Sequence, residues 1–190
     1  MEEGDLSGYL SRNEEHLTRK TRVNICEDIA NGLLYMHSQH IIHRDLTTAN
    51  VLMDSDCKAK LSDFGLSNVI AELRGASFMT SKMAGSARWA APELFPPDDS
   101  VPEANFSTDI YSLGSVIFHV MTGKIPYEGL TETQVMLQVL ANNRPPTLIE
   151  SKLTPTDSFW DIINRCWEAI PASRPTVAEV GQMVALQHLK

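Results

Sequence analysis

Between Asp109 and Gly123 the apolar residues Ile110, Leu113, Val116, Ile117, Val120 and Met121 fall on nearly every side of a helix rather than on one stripe. A helix of that kind cannot run along a wet surface. It has to stand inside the molecule as a post, with other elements packed around it. The pattern predicts a helix opening at Asp109 and running to Gly123, capped by Ser107 or Thr108. Asp109 in the first turn suits the positive end of the helix dipole. The apolar run from Val116 to Met121 is interrupted by His119 and is far too short to span a bilayer. At 190 residues the chain can bury one sizeable core around such a post.

Other stretches supply the surrounding helices. From Thr18, a plausible cap, to about Ser38, Ile25, Ile29, Leu33 and Met36 recur at three- and four-residue steps and form one apolar stripe. Thr131-Glu132-Thr133-Gln134 and Thr176-Val177-Ala178-Glu179 have the capping-box pattern that opens a helix. Phe159, Ile163, Cys166 and Trp167 form the apolar face of a further helix. Val51-Leu52-Met53 and Lys58 to Ser62 read as two short strands around the turn Asp54-Ser55-Asp56.

Ahead of the first strand, Asp45 is followed five residues later by Asn50, between the apolar flanks Ile41-Ile42 and Val51-Leu52-Met53. The flanks would pin both ends of this loop in a core and leave its polar middle in a cleft. A carboxylate there can accept the proton of a substrate hydroxyl. An amide oxygen at the Asn50 position can hold Mg²⁺ on nucleotide phosphates, so the loop suits phosphoryl transfer. His37, His40 and His43 lack a carboxylate or cysteine to complete a zinc set, and His43 is expected to be a packed, hydrogen-bonded structural histidine.

Taken together, His43-Arg44-Asp45-Leu46 with Asn50, Asp63-Phe64-Gly65, Ala91-Pro92-Glu93, Asp109 and Arg174 fall in the order of the large lobe of a protein kinase. The resemblance covers essentially all 190 residues. Arg88-Trp89 before Ala91-Pro92-Glu93, and Cys166-Trp167 before Arg174-Pro175, resemble the tyrosine-kinase-like group of Ser/Thr kinases. The resemblance implies a mainly α fold, a kinase-like C-terminal lobe with a few short β-strands and without the N-terminal lobe. Its catalytic loop would span 43–50 and its activation segment 63–93. The roles carried over are Asp45 as base or orienter, with Asn50 and Asp63 as ligands of Mg²⁺ on bound ATP. Asp5 would face the ribose, Leu6 would help support the adenine, and Leu52 would touch the base. Phe64 would pack under Asp63, and Gly65 would permit the backbone turn. Arg44 would pair with a phosphate on Ser77, Thr80, Ser81 or Ser86. Ser86 would more simply orient the catalytic loop. Asp109 would hydrogen-bond the loop backbone, and Glu93 would form a buried ion pair with Arg174.

Two departures qualify the resemblance. Kinases usually carry Lys or Arg two or four residues after the catalytic Asp, and this chain has Thr47 and Ala49. No cation from the loop would then neutralise the γ-phosphate. The sequence also begins where the hinge between the lobes would end. Its 190 residues contain no glycine-rich phosphate loop and no V-A-I-K lysine. The expected partners are therefore a protein substrate and a missing N-terminal lobe. The alternative is a pseudokinase or truncated lobe that serves as a protein-binding scaffold. A net charge of −8 argues against nucleic acid or an anionic membrane as the main partner. The acidic start is unlike a signal peptide. Three scattered cysteines suit reduced thiols, so a cytoplasmic location is expected.

Overall fold

Local chemistry sets the start of each helix in a computed structural model that describes residues 2–64, 86–96, 102–145, 153, 154 and 156–189. Asp5 accepts the Gly8 N–H at 2.9 Å and opens α1 (Leu6–Asn13). Thr18 accepts the Thr21 N–H and opens α2 (Arg19–Ser38). The post itself is α3 (Phe106–Thr122), and it begins three residues earlier than its apolar pattern implies. Its cap is Asn105, not Ser107 or Thr108. The Asn105 side chain accepts the Thr108 N–H, and the Thr108 hydroxyl receives the Asn105 N–H in return. Gly123, in the left-handed conformation, ends the helix. The two capping boxes open α4 (Glu132–Leu140) and α6 (Val177–Ala185) as expected, with α5 (Phe159–Cys166) between them.

Every residue of α3 from Thr108 to Thr122 is buried. α2 and α5 pack against it, and α2 in turn packs on α6. The α3–α5 crossing is close because Gly114 has no side chain: a Cβ there would sit 2.5 Å from Cβ of Cys166. The Trp167 indole lies in the same layer, beside Phe118, and donates its N–H to Ser115 at 3.0 Å. Full burial of each large apolar side chain in such a layer stabilises the fold by about 1.5–3 kcal/mol.

The strands are β1 (Val51–Met53) and β2 (Ala59–Leu61), one residue shorter at each end of the second strand than the sequence pattern implies. They pair antiparallel, Val51 opposite Leu61 and Met53 opposite Ala59. Asp54 closes the turn by accepting the N–H groups of Asp56 and Lys58. On the other edge of β1, the Met53 N–H donates to the Gly4 carbonyl, and Asp5 bridges to Leu52. The loop between α2 and β1 is thus held at one end by the α2 helix and at the other by this hairpin. The result is mainly helical with one small sheet among the described residues, as the sequence implies.

Candidate active site

The loop from His43 to Asn50 is fastened to the first turn of α3. Asp109 is 1% exposed, and its two carboxylate oxygens accept the His43 N–H at 2.8 Å and the Arg44 N–H at 2.9 Å. A third group, Nε2 of His37 from α2, lies 2.9 Å from Oδ2. The carboxylate is therefore fully engaged, which is how a buried charge becomes tolerable. Arg44 takes a left-handed backbone, φ 72°, and carries the chain round to Asp45. Asn50 closes the loop by donating its side-chain N–H to the Asp45 carbonyl at 2.7 Å. That bond ties the acid and the amide into one turn and leaves the Asn50 oxygen as the atom suited to a cation. Ser62 extends the same link to the second strand: its N–H and hydroxyl both donate to the Asn50 carbonyl. Asp63 follows at once, exposed and with φ 55°.

His43 departs from expectation in one respect. It is packed and fully buried, its backbone N–H bonds Asp109, and the Ser62 backbone lies close enough to favour the protonated ring, although neither ring nitrogen makes a hydrogen bond of ordinary geometry among the described residues. Burial lowers the His43 pKa, against the opposing pull of the Asp109 and Asp45 carboxylates. Phe64 also differs. The left-handed backbone at Asp63 turns the chain, and Phe64 is 50% exposed rather than packed beneath the acid. Leu6 lies wholly within the core and has no surface to offer an adenine. Leu52 points to the opposite side of β1 from Val51 and Met53 and is only partly buried. Asp5 spends a carboxylate oxygen on capping α1. Gly65, Ser77, Thr80 and Ser81 lie outside the described residues.

The end of the 63–93 segment returns to the loop. Ser86 and Trp89 line one small cavity with Arg44, Asp45 and Thr47. Glu93 then meets Arg174 in a two-pronged ion pair, at 2.5 and 2.9 Å. The Arg174 side chain has no exposed surface, and it also donates to the Ser107 and Glu168 carbonyls. Arg88 makes a comparable anchor that sequence inspection misses. Its guanidinium donates to Glu132 and to the carbonyls of Pro126, Tyr127 and Leu130. No local periodicity announces such a bond, because its partners are backbone atoms about forty residues away. His37 as a third partner of Asp109 is invisible for the same reason.

Fold and site together define a helical lobe whose central helix grips an acid-bearing loop. The family model described as "Protein tyrosine and serine/threonine kinase" matches residues 1–184. The chain belongs to the protein kinase family. Similar proteins include serine/threonine/tyrosine-protein kinase HT1 of Arabidopsis thaliana, 32% identical over 95% of this chain and 44% of that protein. Serine/threonine-protein kinase STY17, also of Arabidopsis thaliana, is 31% identical over 97% of this chain and 30% of its own length. Human tyrosine-protein kinase TXK is 32% identical, with 97% and 33% covered. The chain thus spans less than half the length of each of these relatives. No helix among the described residues is long and apolar enough to cross a membrane.

Proposed function

We propose that this chain is the catalytic lobe of a protein kinase that transfers the γ-phosphate of ATP to Ser or Thr hydroxyls of protein substrates. The observation that carries the proposal is the closed turn linking Asp45 to Asn50, hung from Asp109 of the central helix. Asp45 takes the proton of the attacking hydroxyl as that oxygen bonds to the γ-phosphorus and the bond to the β-phosphate oxygen breaks, releasing ADP. The residues present suit a hard cation: the Asn50 oxygen is not spent on the loop's own bond, and Asp63 is an exposed carboxylate next in the chain to Ser62, which bonds the Asn50 carbonyl. Asn50 and Asp63 would hold Mg²⁺, which offsets phosphate charge when bound.

Ser/Thr preference is supported by the absence of tyrosine from 66–90 and by Ser86 in the cavity beside Asp45. Thr47 and Ala49 bring no cation to the phosphates, so the rate is expected to be low for the family. The relatives' names span Ser/Thr and Tyr specificities, and the nature of the phosphorylated amino acid is therefore part of the test. Transfer of labelled γ-phosphate to a generic protein substrate is compared between the chain and Asp45→Asn. The expected result is phosphoserine or phosphothreonine that the substitution abolishes. Equal labelling by both proteins would remove Asp45 from the chemistry, and no transfer by either would favour a scaffold.

A further inference from the structure

Two buried polar side chains meet behind the candidate loop. Thr48 opens the 3-10 turn Thr48–Asn50, and its hydroxyl lies 3.1 Å from Nδ1 of His119 on α3. Both are nearly sealed from solvent, at 1% and 5% exposed. His119 is the residue that breaks the apolar run of the central helix. A polar group in that position costs free energy unless it is bonded, so each of the two groups makes the other tolerable. Burial pushes the imidazole down to about 4; Glu14 and Glu128 act against that shift and Arg22 with it. The ring is therefore neutral at pH 7, with one nitrogen a donor and the other an acceptor.

The turn has few other side-chain ties. Thr47 makes no side-chain capping bond to it, and Ala49 has no polar group to offer. Asn50 bonds within the loop through its side chain to Asp45 and its backbone N–H to Thr47, and its carbonyl accepts the Ser62 N–H and hydroxyl beside the second strand. Asp109 holds the start of the loop to α3. His119, ten residues further along the same helix, or about 15 Å along its axis, holds the middle.

We propose that His119 is a positioning residue: by bonding Thr48 it fixes the turn that carries Asn50, and thereby sets where Asn50 stands relative to Asp45. The consequence for metal and nucleotide rests on the kinase function proposed above, whereas the tie itself is a property of the chain alone. The test begins without any ligand. Amide hydrogen exchange over residues 46–52 is followed in the chain and in Thr48→Val, His119→Phe and His119→Asn, the last keeping a polar atom near the position of Nδ1. A lost hydrogen bond of ordinary strength should speed exchange in this segment about 3- to 10-fold in Thr48→Val and His119→Phe. His119→Asn should restore most of the protection. The double variant Thr48→Val with His119→Phe should be no worse than the poorer single one. Unchanged local exchange in Thr48→Val, or additive effects in the double variant, would overturn the proposal. Since Thr48→Val is nearly isosteric, it keeps the test readable should His119→Phe fail to fold. The second arm measures Mn²⁺ affinity in the presence of ADP. Weakening in Thr48→Val and His119→Phe is expected, with affinity near that of the unsubstituted chain in His119→Asn. Absence of metal–ADP binding in the unsubstituted chain would count against the kinase function and leave the exchange result standing.

Discussion

At the scale of single residues, the site is held by buried polar groups whose partners are far away in sequence. Arg174 is the plainest case, because its side chain is wholly buried and its charge is answered by Glu93. A buried pair adds little net stability over an apolar substitute, but stranding one partner is costly. Glu93→Gln should therefore destabilise the chain by about 3–5 kcal/mol, read from the urea midpoint. The exposed pair of Lys58 with Asp28 should contribute only about 0–1 kcal/mol by the same measurement. His119 gives a pH signature of defined sign. Its pKa is about 4 in the folded chain against an ordinary value of 6.5. Between these values the unfolded chain binds a proton that the folded chain refuses. Stability should fall as the pH drops from 6.5 to 4, by roughly 3 kcal/mol in all, and level off below. His43 adds a contribution of the same sign, so the comparison is between the chain and His119→Asn, which retains His43. Equal slopes in the two proteins would show that His119 is not the group responsible.

At the scale of elements, the periodic features were legible from sequence and the reciprocal ones were not. The stripe on α2, the all-round apolarity of α3 and the boxes opening α4 and α6 are local patterns, and each gave an element in the expected place. The start of α3 differs from the sequence expectation because its cap, Asn105, lies outside the apolar run. Asp45, Asn50 and Asp63 are candidates from spacing and resemblance alone. The bonds that seat them, from Asp109, His37 and Ser62, are set by tertiary packing that no window of sequence contains. Leu6 shows the converse: a residue assigned to a ligand from its place in a motif is core, because α1 turns it inward against the hairpin. The contact between α3 and α5 carries a prediction of its own. Gly114→Ala places a methyl group against Cβ of Cys166, and neither helix backbone can yield cheaply. Overpacking of this kind costs about 1–3 kcal/mol. Thermal unfolding should show a lowered midpoint, while Gly181→Ala, where a Cβ meets nothing within 4 Å, should not lower it.

At the scale of the whole molecule, one apolar helix organises both stability and site. α3 carries the core contacts to α2 and α5 on its sides and the two loop anchors, Asp109 and His119, along its length. Phosphoryl transfer in the kinase family rests on positioning more than on any covalent step by the protein. In the function proposed above, Asp45, Asn50 and Asp63 belong to one metal–nucleotide site. Its most direct test is a nuclear magnetic resonance titration of the labelled chain with ADP, with and without Mg²⁺. The signals to follow are the Asn50 side-chain amide and the Asp63 backbone amide. Both should shift together at millimolar concentrations when nucleotide and Mg²⁺ are present, and neither should do so with ADP alone or in Asp63→Ala. Shifts that ignore Mg²⁺, or that appear elsewhere and leave Asn50 and Asp63 unmoved, would show that the two residues do not share a metal–nucleotide site.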